Sequence, residues 1–239
     1  MSIRFSVLEW AAWGPGLGQN AAWVDWAAGA AALPAGDDKP ELAELAPMAR
    51  RRLDRLGRMA LQVAYRVQAD RAAGCPIVYA SRHGSVHSSV DMLAALAAHE
   101  PLSPTVFSMS VHNAVGALYS IARGDTAPYT AVAAGRSTVE AAFVEAAGLM
   151  ADGAPEVMVV VYDEPLPTVF ASFGDEPEAP YAWACRLGPG VLRLQWQADA
   201  VEASREDLPH GLAVLRFLIG GAAQLDFSDG QRSWQWCRQ

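Results

Sequence analysis

The sequence predicts an α/β protein: a layered fold with helices around a mixed, mostly parallel sheet, and an antiparallel β addition at the C-terminal end. In the first two thirds of the 239 residues, β-prone runs alternate with stretches whose apolar residues recur every three or four positions. This alternation is typical of a doubly wound sheet. In the last third, Gly188-Pro189-Gly190 and Asp229-Gly230 each separate two β-prone runs, a pattern that predicts two hairpins.

The strands of the layer are predicted from alternation and β-branched content. Ile3–Trp10 alternates apolar and polar residues, and Val157–Tyr162 is an almost continuous β-branched run that suits a strand buried on both faces. The other strands of the layer are expected at Ile77–Ala80, Thr105–Phe107 and Tyr129–Ala134. The two hairpins would be formed by Tyr181–Leu187 with Val191–Gln197, and by Gln224–Phe227 with Ser233–Cys237.

Helices are predicted between these strands. The clearest is Arg50–Ala72, which carries its apolar residues on one face. Thr138 is a plausible N-cap residue for the helix that follows it. The remaining helices are expected at Trp23–Ala32, Val86–His99, Val111–Ala122, Thr138–Met150 and Leu212–Ala223. We therefore expect residues 1–165 to form the main α/β unit and residues 166–239 to form an extension packed on the same domain.

Composition limits the classes of function. Apolar residues make up 52% of the chain and charged residues 18%, which indicates a compact core. The net charge is −8, and the arginines of 50–58 are most simply the solvated face of a helix, so no nucleic acid partner is expected. We find neither a signal peptide nor an apolar run of membrane-spanning length, so the chain is expected to be cytoplasmic and free of membrane.

Metal and cofactor signals are weak. Cys75, Cys185 and Cys237 lie far apart without the spacing of metal ligands, so no metal or cofactor is expected. The glycines of 14–18 lack the pattern of a phosphate-binding loop. His83, His87 and Asp91 recur at four-residue intervals, but Gly84 interrupts the helix that would align them as ligands.

The strongest chemical signal lies in Ser103–Asp125. The β-prone run Thr105–Phe107 turns through Ser108–Ser110 into an apolar helix. A strand that turns sharply into a buried helix is the geometry of a nucleophile elbow, which presents one side chain at a helix N-terminus. Phe107 stands at the tip, and its side chain cannot form the covalent intermediate that a Cys or Ser would form.

This stretch resembles the elbow of the β-ketoacyl synthases, thiolase-fold enzymes that condense acyl chains carried on acyl carrier protein. In that family a segment of the type T-A-C-x-x-G-x-H leads into a buried helix that ends at Gly-Asp. Here Thr105–His112 occupies that pattern, and Gly124-Asp125 follows at the matching distance. The resemblance covers about Ile3–Tyr162, the N-terminal half of a synthase. It is closest to the short chain-length-factor-like proteins of aryl-polyene and xanthomonadin-type pigment clusters.

Two departures from the family bear on activity. Phe107 stands where the family has its nucleophilic cysteine, and the two histidines of decarboxylation belong to a C-terminal half that the resemblance does not cover. The resemblance therefore implies a subunit without catalytic residues of its own. Its partner would be an active β-ketoacyl synthase, and the acyl carrier protein would bind mainly to that partner.

The resemblance also assigns residues to candidate roles. Because protomers of the family meet along the strand that leads into the elbow, it implies an interface strand made of Thr105, Val106, Phe107, Ser108 and Met109. The candidate pocket or elbow residues are Phe107, Ser108, Met109, Ser110 and His112. Phe107 is then either core filler at a retained elbow or a side chain that plugs or shapes an acyl tunnel.

Two alternatives stay open from the sequence. The chain could be a residual acyl-carrier-dependent acyltransferase or thioesterase in which Ser108 or Ser110 works with His112 or His83. Helix-capping or turn hydroxyls and a hydrogen-bonded core histidine are the simpler interpretations of these residues. The chain could also form a homodimer with a binding role only.

Overall fold

The structure is a computed structural model of the chain, and it describes residues 1–30, 32, 35–69, 73–198, 202–205 and 207–238. Within these ranges, helices pack on both sides of a seven-stranded sheet, so the predicted α/β class is confirmed. The strands are β1 (Ser2–Trp13), β2 (Ile77–Ala80), β3 (Tyr129–Val132), β4 (Val157–Asp163), β5 (Tyr181–Gln197), β6 (Gln224–Ser228) and β7 (Ser233–Cys237). The α-helices are α1 (Asn20–Ala27), α2 (Pro47–Arg50), α3 (Arg55–Gln68), α4 (Val86–Ala97), α5 (Pro104–Met109), α6 (Ala114–Arg123), α7 (Thr138–Ala151) and α8 (His210–Ile219).

The sheet is mixed, with strand order β3-β2-β4-β5-β7-β6 and with β1 paired to β5. The pairings of β2 with β3 and with β4 are parallel, as expected for strands joined through helices. The other pairings among the described residues are antiparallel, so antiparallel pairings predominate where mostly parallel ones were predicted. The difference arises because the long strand β5 pairs with β4, β1 and β7 in turn.

Two hydrophobic cores lie on opposite faces of this sheet. In β4, Val159 and Val161 face the core formed with α1, α7 and α8, whereas Met158 and Val160 face the core formed with α3 and α6. The alternation shows that β4 is covered on both faces, as its β-branched run predicted. Two short 3₁₀ helices, Gly135–Ser137 and Thr168–Phe173, complete the regular structure of the described residues.

The hairpin predicted at Gly188-Pro189-Gly190 is wrong. β5 continues through these residues, and the register with β1 passes from Leu192 opposite Phe5 directly to Gly188 opposite Ser6, which marks a bulge. A Cβ atom at Gly190 would lie 1.6 Å from Ser6 Oγ. Glycine is therefore needed here for the close approach of two strands rather than for a turn. The second predicted hairpin, β6–β7, is confirmed.

The strand predicted at Thr105–Phe107 is also wrong, and with it the strand character of the predicted interface segment Thr105–Met109. These residues belong to helix α5. The Ser103 hydroxyl accepts a hydrogen bond from the Val106 backbone N–H at 3.4 Å, and Pro104 occupies the first turn. A capping serine followed by proline is a helix start signal, and it prevails over the β propensity of the three residues after it.

Several helix boundaries differ from the predictions. The helix predicted at Arg50–Ala72 begins at Arg55, because the Asp54 carboxylate accepts the Gly57 backbone N–H at 2.7 Å and caps it there. Its predicted last residues, 70–72, lie outside the described residues, as does residue 31 of the helix predicted at Trp23–Ala32. Thr138 is the first helical residue of α7 and not its N-cap. None of the helices in the described ranges has both the length and the apolar character needed to cross a lipid bilayer.

A buried polar cluster joins the two parts of the chain. Glu140 of α7 accepts hydrogen bonds on Oε1 from His210 Nε2 of α8 at 2.7 Å and from Trp236 Nε1 of β7 at 3.0 Å. All three residues are buried. The cluster ties the C-terminal strands to the α/β layer, although the division into residues 1–165 and 166–239 stays a prediction.

A second polar junction lies where β2 and β4 end side by side. Asp163 Oδ1 accepts hydrogen bonds from Ser81 Oγ and from the Arg82 backbone N–H, both at 2.9 Å. Desolvation raises the pKa of Asp163 to about 7, although these hydrogen bonds and the Arg82 charge oppose the shift. The Arg82 guanidinium pairs with Glu176 at 2.8 Å and with Asp175. The turn after β2 is thus held by Asp163 at Ser81 and the Arg82 backbone, and by Glu176 and Asp175 at the Arg82 side chain.

Replacing Glu140 with leucine should destabilise the fold by about 3 kcal/mol, because two buried donors lose their shared acceptor. The matched control is Glu145→Leu, which changes an exposed residue of the same helix. Urea unfolding of both variants measures the effect. Equal free energies of unfolding for the two variants would show that the cluster does not hold the C-terminal strands.

The junction at Asp163 should make stability depend on pH. Because its pKa is higher in the folded chain than in the unfolded one, its contribution is full at acidic pH and is lost as pH rises from about 4 to about 7. Asp163→Asn removes this dependence, so its stability relative to the parent should rise by at most about 1.4 kcal/mol per pH unit in that window. Urea unfolding of both proteins across this range provides the test. A difference that stays constant with pH contradicts the assignment.

Candidate functional site

The elbow is formed by the end of α5, the short connection 110–113 and helix α6. α6 ends at Gly124, which has φ of +62°. The Asp125 backbone N–H donates to Ser120 O at 3.0 Å, and the Asp125 side chain accepts the Ala127 backbone N–H at 2.9 Å. Helices commonly end at a residue in the left-handed region, with the next backbone N–H donating to a carbonyl of the last helical turn. The Gly-Asp pair therefore ends α6 where the sequence predicted.

Phe107 does not fill the core. It lies on α5, a helix with no buried residue, and it is 64% exposed. Val106 and Val111 beside it are also exposed. The interpretation of Phe107 as core filler is therefore wrong, because its side chain points to the surface of the chain.

The serines next to Phe107 are engaged in the helix itself. Ser108 Oγ donates to Thr105 O and Ser110 Oγ donates to Phe107 O, both at 2.9 Å. In the described part of the chain neither hydroxyl has a hydrogen bond to a histidine. His83 is exposed in the turn after β2, and His112 bonds elsewhere. The hydroxyls serve local backbone bonding, as the simpler interpretation predicted.

His112 fixes the start of α6 against the sheet. Its Nε2 donates to Val132 O, at the end of β3, at 3.3 Å. Its ring also lies against Gly84, where an added Cβ would be 2.6 Å from His112 Nδ1 and where φ is +60°. The Gly84 backbone N–H donates to Ser81 Oγ at 2.8 Å, and Ser81 in turn donates to Asp163. A continuous set of contacts therefore runs from the end of β4 to the elbow.

A cavity of about 220 Å³ lies on the inner side of the elbow, where the N-terminal ends of α3, α4 and α6 meet. Val106 and Met109 of α5 line it, whereas Phe107 does not. At one wall, the Asp54 carboxylate accepts hydrogen bonds from Ser85 Oγ and, at 3.4 Å, from Ser88 Oγ. The elbow thus has an outer side that presents Phe107 and an inner side that closes a cavity.

Several of these residues were not predicted. The capping role of Asp54 could have been found, because an acidic residue precedes the helical pattern of α3. The sequence predicts a solvated helix face at Arg51 and Arg52, whereas in the structure both line the cavity. Tyr162 also lines it and gives no sequence signal, because it stands in an apolar strand.

The described part of the chain has a second surface depression but no cluster of metal ligands. A larger depression of about 830 Å³ lies against β5, β6 and β7 and shares no lining residue with the elbow cavity. His87 Nε2 contacts Pro165 O at 2.8 Å. Within the described ranges, His, Cys, Asp and Glu side chains form no group of three or more that could hold a metal ion.

Comparison with solved structures reveals close similarity to one kind of complex. One chain of the ketosynthase (ApeO) in complex with its chain length factor (ApeC) from Xenorhabdus doucetiae is 29% identical to this chain, with a TM-score of 0.85. The match covers 99% of this chain and 100% of that one.

More distant structures share the fold alone. The ishigamide ketosynthase/chain length factor is 20% identical, with a TM-score of 0.65 over 82% of this chain and 68% of that one. A β-ketoacyl synthase from Burkholderia phymatum STM815 is 12% identical, with a TM-score of 0.60 over 84% of this chain and 66% of that one. No curated protein matches the chain.

The family assignment comes from the sequence match. Residues 23–237, nearly the whole chain, match the family described as Beta-ketoacyl synthase, N-terminal domain. The Gly-Asp helix end and the fold described above agree with that match. The chain therefore belongs to the β-ketoacyl synthase family, in which it resembles chains of ketosynthase–chain length factor complexes.

Proposed function

We propose that this chain is a non-catalytic, chain-length-factor-like subunit that pairs with an active β-ketoacyl synthase in type II fatty-acid or polyketide biosynthesis. The observation that carries the proposal is the exposure of Phe107, the residue that the family resemblance places at the nucleophile position. Its aromatic ring cannot form a thioester, so covalent catalysis at this position is excluded by its chemistry.

The surface around Phe107 supports a partner subunit. Neither α4 nor α5 contains a buried residue in this chain. Their exposed apolar side chains and those of the neighbouring connection are Leu93, Leu96, Leu102, Val106, Phe107 and Val111. A set of large apolar residues on adjoining helices is typical of a protein interface. Similarity to a ketosynthase that is bound to its chain length factor favours a synthase as the occupant.

Further parts of the proposal rest on the family resemblance. The acyl substrate would reach the complex on acyl carrier protein bound mainly to the synthase, and the product would be of the aryl-polyene type. The complex would work in the cytoplasm. The same apolar face could pair two copies of this chain when the synthase is absent, which gives a homodimer.

The serine-dependent enzyme finds no support in the elbow geometry. Both candidate hydroxyls, Ser108 and Ser110, donate to backbone carbonyls of their own helix. A serine nucleophile needs an adjacent general base to take its proton. Mass spectrometry after incubation with an acyl-carrier thioester should therefore detect no acyl adduct on this chain.

Phe107→Asp should weaken association with the partner synthase by roughly thirtyfold, because charged residues are disfavoured at the centre of an apolar interface. The matched control is Met48→Asp, which places the same charge at a 72% exposed apolar residue of α2. Co-expression with the synthase, followed by sizing and titration of the purified subunits, measures both variants. If Phe107→Asp and Met48→Asp bind the synthase with equal affinity, the face that contains Phe107 is not part of the interface.

Phe107→Ala tests whether the ring bounds the acyl chain in the complex. Removing an aromatic ring that projects into the partner's tunnel leaves space for further condensation steps, so the products should become longer. Product masses from the reconstituted complex give the readout, with Val111→Ala as the control on the same face. An unchanged product distribution in a fully assembled Phe107→Ala complex would show that the ring does not bound the acyl chain. Phe107 would then have only the interface role.

A further inference from the structure

The cavity on the inner side of the elbow has the size and lining of a small-molecule site. Its walls are mostly apolar and include Leu53, Leu56, Met109 and Val115. A protein cavity of about 150 Å³ accommodates benzene, so a volume of about 220 Å³ suits a molecule of roughly eight non-hydrogen atoms. A mostly apolar cavity with a few polar groups is the usual form of a ligand pocket.

One hydroxyl at this cavity has no partner among the described residues. Tyr162 is 1% exposed and lines the cavity, and its hydroxyl makes no hydrogen bond within the described part of the chain. Burial, and to a lesser degree the charges of Asp163 and Asp54, raise the pKa of Tyr162 far above its usual value. The hydroxyl is therefore a hydrogen-bond donor at all physiological pH values. Because the Tyr162 side chain lines the cavity and its hydroxyl has no acceptor within the described part of the chain, that hydroxyl can donate to an acceptor oxygen of a bound ligand.

Two further polar side chains of the cavity, those of Asp54 and His112, form hydrogen bonds within the chain. Asp54 accepts hydrogen bonds from the Gly57 backbone N–H and from Ser85 Oγ. His112 Nε2 donates to Val132 O. Tyr162 is therefore the group best placed to select a ligand by its acceptor oxygen.

The rim of the cavity is basic. Arg51 and Arg52 follow helix α2, line the cavity and are exposed. Neither has an ion-pair partner among the described residues. Two guanidinium groups at the mouth of an apolar cavity favour a ligand with an anionic end group.

We propose that this cavity binds a short aliphatic carboxylate with an oxo group on its chain. The carboxylate lies at Arg51 and Arg52, the aliphatic part lies against Leu53, Met109 and Val115, and the oxo oxygen accepts the Tyr162 hydroxyl. All of the lining residues belong to this chain, although Val106 and Val111 also lie on the face proposed for the synthase. Ligand binding at this cavity is therefore a function beyond the subunit role.

The test is isothermal titration of the full chain with levulinate and with valerate, which has the same carbon chain without the oxo group. The parent chain should bind levulinate with saturation and roughly three- to tenfold more tightly than valerate, because one hydrogen bond distinguishes the two ligands. Tyr162→Phe should abolish this preference. The substitution removes only an unpartnered hydroxyl, so the variant should fold with unchanged or higher thermal stability.

The basic rim is tested separately. The double variant Arg51→Ala/Arg52→Ala should bind both ligands about fivefold more weakly, since exposed ion pairs contribute modestly. Arg58→Ala is the control, because Arg58 lies on α3 but does not line the cavity.

Three results would overturn the proposal. They are the absence of saturable levulinate binding by the parent chain, an unchanged levulinate preference in Tyr162→Phe, and equal binding by the double variant and Arg58→Ala. These titrations contain no synthase, so their failure leaves the subunit proposal intact. Loss of synthase pairing would in turn leave the titrations unaffected.

Discussion

The position of the elbow depends on the close contact between Gly84 and His112. The His112 ring occupies the space where any other residue at position 84 would place its Cβ, and Gly84 has a backbone conformation that favours glycine. The same glycine is held by Ser81, which is held by Asp163 at the end of β4. The elbow is thus anchored to the sheet through hydrogen bonds and not only through the packing of its own helices.

Helix α5 contributes residues to two surfaces, the outer face of the chain and the cavity behind it. α5 is only six residues long, yet it presents Phe107 outward and directs Val106 and Met109 to the inner cavity. In a catalytic elbow the side chain at this position carries the reaction. Here helix α5 occupies the place where the family resemblance predicted a strand, and it presents the aromatic side chain of Phe107 at the surface. This exposed aromatic surface is consistent with a role in assembly, and a cavity lies behind it.

Much of the fold follows from the sequence because local and long-range signals agree. The apolar face of α3, the doubly covered strand β4 and the Gly-Asp end of α6 were all predicted from residue patterns. The wrong predictions arose where the same residue pattern is compatible with two different structures. The glycines at 188 and 190 indicate a turn in isolation, but in the fold they admit the close approach of β1. The β-prone Thr105–Phe107 forms a helix because Ser103 and Pro104 start one. Of the site, Phe107 and His112 were predicted from the elbow pattern, but no sequence signal could place Tyr162 of β4 and Arg51 at the same cavity, since they lie far apart in the chain.

The most direct test of the subunit account is an elongation assay with acyl carrier protein. It compares the partner synthase alone, this chain alone, and the two subunits purified as a complex. The account predicts that this chain alone is inactive and carries no acyl adduct, that it forms a one-to-one complex with the synthase, and that elongation occurs only in the complex. Elongation or acyl-enzyme formation by this chain alone would contradict it, and so would a synthase whose activity is the same with and without this chain.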